Sequence, residues 1–309
     1  MKKRIFTGII LAGTVAITAG LAGCGGGETK QAVTKDDLLE KAVDTFTKMQ
    51  SMDADVKMDM AMNMSASGIS MDMKNKADMN AVGIKDGATH VTGKMDVSAL
   101  GQERALEVES YTVKEGADMV QYSKVAESGA EGTWTKTTTQ VGELTDSSSQ
   151  LSVSQVGEAY AKLKDSLSDL TLQSGTVNYN NTNCYLVSGT IKGEKLAEIA
   201  NSSGQSIPEE TKKSLEQLNV DTQLYFRADD ETPYAIEADM ADAIEQMMKA
   251  QASSTMQGME MTAEEMKLSV VFNSFDKVKD VTVPDDVKQN AVEGADALDV
   301  QSLLMGGGI

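Results

Sequence analysis

From Asp55 to Met64 the chain has a period of two: Val56, Met58, Met60, Met62 and Met64 are apolar and large, while Asp55, Lys57, Asp59, Ala61 and Asn63 in the alternate positions are polar or small. A period of two places successive side chains on opposite faces of an extended strand. After "SASG" (Ser65 to Gly68) the alternation resumes with Ile69, Met71, Met73, Ala77 and Met79, so the two runs predict a long hairpin. Further strand patterns follow in "THVTGKMDVSAL", "RALEVESYTV" and "DMVQYSKV", and again in "CYLVSGTI", "VDTQLYFRAD", "PYAIEADM" and "MKLSVVFNSF". Helices are expected in four places, two of them short, in "GEKLAEIAN" and, opening at Pro208, in "PEETKKSLEQL". Thr34 with Asp37 makes a capping signal ahead of Leu39, Ala42, Val43, Phe46 and Met49, which predicts a helix over 35–52. Val153, Val156, Tyr160, Leu163, Leu167 and Leu170 form one apolar stripe, which predicts a helix over 153–170 lying on a sheet. The polar, Met-rich stretch "KAQASSTMQGMEMTAEE" reads as a loop or weak helix, and "VTVPDDV" closes the pattern. Strands adjacent in sequence that alternate cleanly predict an α+β domain built on an antiparallel sheet.

The N-terminus adds an address. "MKKR" is basic, residues 5–23 are apolar with small residues toward the end, and Cys24 follows in "LAGC". This is the composition of a signal peptide, and it resembles the lipobox of bacterial lipoproteins. The resemblance implies a signal peptide at 1–23, a diacylglycerol on the sulfur of Cys24 and a tether over 24–34. The protein is then expected outside the cytoplasm, anchored to the outer face of the cell membrane. The missing disulfide pair and the glycine after Cys24 favour a monoderm bacterium. Cleavage removes three cations and no acid, taking the formal charge from −19 to −22. A chain so acidic is repelled by nucleic acid. With Cys24 acylated, Cys184 has no partner and reads as a small semi-buried hydrophobe.

Catalytic signals are missing in a consistent way. The single histidine, His90, leaves no zinc site of the histidine type, and it reads as a surface or edge-strand residue. "GATHVTGKM" resembles a phosphate loop but has one residue too many before Gly93-Lys94, and Met95 stands where Ser or Thr is needed. Acidic clusters such as Asp229 to Glu231 and Asp285-Asp286 read as turns and solvated faces. No enzyme activity, metal site or cofactor is expected.

The methionines therefore carry the functional question. Thioethers are soft ligands that suit Cu(I), but no histidine or cysteine stands near them, and they share their face with Val56 and Ile69. Burial is the alternative, either in a packed core or in the wall of a cavity. Methionine adapts to varied apolar partners, whereas branched residues specify a rigid core.

"LYFRADDETPYAIEADM" and "VVFNSFDKVKDVTVPDDV", with the order of strands and helices before them, resemble the LolA/LppX-type lipoproteins over residues 35–290. The resemblance implies a strongly curved antiparallel half-barrel with helices covering its concave face and carriage of a lipid or other apolar ligand without catalysis; the stretch after "VTVPDDV", over 291–309, reads from its own composition as a flexible tail. The wall residues expected are Met58, Met60, Met62, Met64, Met71 and Met73 from the sheet, with Phe46, Tyr160, Leu163 and Leu167 from the helices. A structural or adhesion lipoprotein without a ligand and a Cu(I)-handling protein are the competing readings.

Overall fold

The computed structural model describes residues 33–66, 69–85, 87–99, 102–140, 167, 169–195, 216, 218–243, 245–246 and 259–294. Helix α1 (Lys35–Lys48) precedes a run of strands: β1 (Ser51–Ala66), β2 (Ile69–Ile84), β3 (Thr89–Ala99), β4 (Gln102–Glu115), β5 (Asp118–Glu127) and β6 (Thr135–Gln140). After these come β7 (Thr171–Leu172), β8 (Val177–Tyr179), β9 (Thr182–Lys192), β10 (Asn219–Arg227), β11 (Pro233–Asp239) and β12 (Met259–Phe275). Helix α2 (Asp285–Asn290) and β13 (Val292–Glu293) complete the described elements.

All strands join one sheet in the order β13-β6-β5-β4-β3-β2-β1-β12-β11-β10-β9-β7, with β8 paired to β9. The pairing is antiparallel except for β13 on β6. The result is a large, open antiparallel sheet, with few helices among the described residues. Its middle is β1, which pairs along its whole length with β2 and along nearly all of it with β12. The chain thus closes one of its two long central ladders between its first strand and its last long one.

Helix α1 starts where the sequence predicts. Thr34 Oγ1 accepts from the Asp37 amide at 3.2 Å, and the Thr34 amide donates to Asp37 Oδ2 at 3.1 Å. It buries Leu38, Leu39, Ala42 and Phe46 against Val187, Leu224, Phe226 and Phe272 of the sheet. The Phe46 ring meets Phe272 edge-on at 5.1 Å. The helix stops at Lys48, four residues short of the expected end, because the ladder takes over. Ser51 already pairs with Ile84 and Met52 with Phe275, while Asp276 Oδ1 accepts from the amides of Gln50 (2.6 Å) and Ser51 (3.3 Å). Of the helix expected over 153–170, only Leu167, Asp169 and Leu170 fall among the described residues. There the Leu170 amide donates to the Leu167 carbonyl in a single turn.

Two other expectations change. The Met-rich stretch read as loop or weak helix contributes Met259 to Glu265 to β12, since the far end of β1 needs a partner and residues 259–263 supply it from Ala66 to Met62. Tertiary pairing overrides the helical texture of "TAEEM". His90 lies on β3, inside the sheet between β2 and β4, with its ring stacked on Tyr111 at 4.0 Å.

The face of β2–β5 that carries Tyr111 and Tyr122 is covered by the C-terminal segment. Val281, Val283 and Val287 pack onto Tyr111, Val120 and Tyr122. Tyr111 donates to Glu109 and Tyr122 to Glu115, each at 3.1 Å. Burial first, and the neighbouring carboxylate second, push both phenols up to about 12.

Two outcomes follow. Both phenols titrate in the folded state at about 12 against an ordinary value of 10.0, so their contribution to stability is complete below pH 10 and is lost as pH rises toward 12. Urea midpoints measured across that window should fall, and Tyr122→Phe should flatten the fall. Asp276→Ala should cost about 1–3 kcal/mol in urea unfolding, because two backbone amides lose their acceptor. Its backbone sits at φ 59, a left-handed position that asparagine tolerates, so Asp276→Asn should retain most of the stability.

Candidate ligand-binding faces of the sheet

The methionines expected to form a wall do share one face. Met62 faces Met73 across the β1–β2 ladder, Met60 faces Asn75 and Met58 faces Ala77. On the other side Met60 faces Met266 and Met58 faces Leu268. Met58, Met60 and Met62 are buried together with Met79, Met95 and Met266, and Leu106 and Val108 extend the cluster onto β4. Met73 and Met240 pack against it, half-buried. Met60 is only 2% exposed and Met95 only 1%. Asn75, 1% exposed, places an amide among the thioethers.

Close strand approach makes room for this packing. Gly93 sits on β3 opposite Met79, and a Cβ there would fall against the Asp78 carbonyl and 2.7 Å from Met79 Cα. The missing side chain lets the Met79 thioether lie across β3.

The expected wall does not form a single cluster. Phe46 and Leu167 belong to the core under α1, with Ala54, Val187 and Phe272, apart from the methionine cluster. Met64 and Met71 face one another at the far end of the hairpin and are half-buried. Tyr160, Leu163 and Cys24 lie outside the described residues. Met79, Met95, Met240 and Met266 join the face without having been singled out. Met95 could have been found from its alternation with Val91, Gly93 and Val97 on β3.

The opposite face of the same strands carries a second feature, which the sequence reading missed. A groove of about 510 Å³ crosses β10, β11, β12 and β1 on that side, with the β8–β9 hairpin at its rim. Tyr179 stacks on Tyr225 with ring centroids 4.1 Å apart, and the Tyr225 side chain is buried with Cys184, Leu186 and Tyr234. Tyr179 donates to Glu237 Oε1 at 2.8 Å and lies 3.3 Å from Ser269 Oγ; the Tyr225 hydroxyl shares its proton between Gln223 Oε1 at 2.5 Å and Glu237 Oε2 at 3.1 Å. Two phenols thus fix one carboxylate on the groove floor. Burial raises both phenols above the ordinary tyrosine range, and the Glu237 charge adds to it, so both keep their protons. Cys184 is fully buried beneath this cluster, deeper than the semi-buried position its flanks suggest, and burial raises its thiol. Asn180 and Asn181, at φ 47 and 62, make the two-residue turn between β8 and β9 that puts Asn180 at the rim.

The chain belongs to the family of unknown function DUF6612, whose model matches residues 34–292. Among solved structures it is similar to a DUF1329 family protein from Desulfovibrio piger, at 11% identity and a TM-score of 0.21 over 81% of this chain and 93% of that one. It is also similar to a beta-barrel-like protein of the domain of unknown function DUF1849 from Brucella abortus, at 12% identity and a TM-score of 0.24 over 74% of this chain and 98% of that one. No curated protein matches it in sequence.

Gly93→Ala should destabilise the fold by about 1–3 kcal/mol, the usual cost of overpacking, since the clash is with β2 backbone rather than with a side chain that can turn away. A urea titration followed by circular dichroism reads the shift. An unchanged midpoint would show that Gly93 is not what sets the β2–β3 spacing.

Proposed function

We propose that this member of DUF6612 is a non-catalytic lipoprotein, anchored through Cys24 at the outer face of the cell membrane, that binds a lipid or other apolar ligand against its methionine face. The supporting observation is the choice of residue: on one continuous face Met58, Met60, Met62, Met79, Met95 and Met266 stand where branched aliphatic side chains would pack more rigidly. Unbranched thioethers reshape at low cost, a property used by surfaces that accept varied apolar partners. In this reading the sheet curves around the ligand and helices close its concave side. Transfer of an acyl chain from water contributes about 0.8 kcal/mol per buried CH₂, so no catalytic group or metal is needed to hold it. The same face packed solid would serve a structural or adhesion lipoprotein. Thioethers bound to a soft ion would serve Cu(I) handling.

Native mass spectrometry of protein purified without detergent, followed by organic extraction, separates these readings. The expected result is a bound mass that extraction identifies as lipid and that persists when Met58, Met60, Met62 and Met64 are replaced by leucine, which nearly conserves volume and apolarity. A homogeneous ligand-free mass that no added lipid shifts rejects the proposal. Copper(I) binding that disappears in the leucine variant supports the metal reading instead.

A further inference from the structure

The groove on the face opposite the methionines has no part in apolar binding, and its lining has a different chemistry. Its acceptors are the carboxylates of Asp59, Asp221, Glu237 and Asp239, and its donors include Lys57 and Lys267. Between them lie apolar surfaces from the Val271 side chain and the Tyr179 ring, while Ala238 and Leu268, whose side chains turn to the methionine face, contribute backbone only. The volume, about 510 Å³, falls within the range of small-molecule sites, roughly 300–1,000 Å³. From this lining we infer that the groove binds a neutral polyhydroxylated ligand, a saccharide of one or two rings.

The charges decide the class. An anion entering the groove meets four carboxylates, while both lysines are already matched at its edge, Lys57 by Asp78 at 3.2 Å and Lys267 by Glu265 at 3.0 Å. A cation meets two ammonium groups and carboxylates that already hold partners. Glu237 accepts from two phenols, Asp221 from the Thr190 hydroxyl at 2.6 Å and Asp239 from the Ala241 amide, while Asp59 pairs with Lys76. A hydroxyl donates once and accepts twice, so it satisfies the spare lone pairs of those carboxylates without adding charge. It can also accept from Lys57, Lys267 or the Asn180 amide. The C–H faces of a sugar ring suit the apolar strip between the polar groups.

A second feature points to the same place. Asp221 and Asp239 are direct cross-strand partners in the β10–β11 ladder, a position where like charges destabilise a sheet. Neither forms an ion pair among the described residues. The strand ends accept this cost beside a carboxylate that two tyrosines hold in place. Hydroxyl donors from a bound sugar lower the repulsion by spreading both charges.

Saturation-transfer NMR on the full chain tests the inference, with maltose, cellobiose and N,N′-diacetylchitobiose as neutral probes, glucuronate as the anion and spermidine as the cation. We expect transfer to at least one neutral disaccharide. Its Kd should rise about tenfold in Glu237→Gln, where an amide replaces a carboxylate that phenols and sugar hydroxyls both address, and it should rise also in Lys57→Ala. The exposed Lys57 makes that second variant safe for folding, and an unchanged melting curve confirms it. Transfer confined to spermidine or glucuronate, transfer to no probe, or sugar binding that neither variant weakens overturns the inference. Each of these results leaves lipid binding on the opposite face untouched.

Discussion

The alternation along β1 is the constraint on which everything else depends. This strand is hydrogen-bonded on both edges, so it cannot slip by one residue without exchanging its two faces. One register puts Met58, Met60 and Met62 into a buried cluster and leaves Lys57 and Asp59 on the other side, where they help line the groove. The apolar face and the polar groove are therefore two products of one strand. A slip would destroy both together.

The two faces are also closed by different means. On the methionine-bearing face, α1 covers the part of the sheet formed by β9, β10 and β12, and its phenylalanine contacts make that region rigid. On the other face, the C-terminal valines cover β4 and β5, and the β8–β9 hairpin shields Tyr225 and Tyr234. Between these caps the methionine cluster and the groove lie back to back across one layer of backbone. A sheet covered in patches on both sides does not read as simple alternation everywhere. This is why β4 and β5 bury Ser110, Thr112, Gln121 and Ser123 as well as Tyr111 and Tyr122.

What could be read in advance follows the same logic. The β1–β2 hairpin, the capping box at Thr34 and the sharing of a face by the methionines were legible because each is local: a period or a three-residue spacing states it. The end of α1 was not legible, since residues 49–52 continue a helical pattern and only the distant Asp276 and Phe275 claim them for the sheet. Met259 to Glu265 look helical until β1 demands a partner. The groove was the least accessible, because Tyr179, Tyr225, Glu237 and Ser269 come from four strands or turns with no common spacing, and only the topology assembles them.

The clasp between Asp276 and Ser51 spans 225 positions of chain. Contacts so remote in sequence carry a large loop-closure entropy and slow the approach to the native state. Until the last third of the chain is available, one edge of β1 has no partner and Met60 lacks Met266 across it. During that interval the protein resembles an unfinished sheet with a sticky border, the kind of species that aggregates. The excess of carboxylates, which contributes little to the native fold, acts at this stage: molecules of like charge repel one another while the clasp is still open.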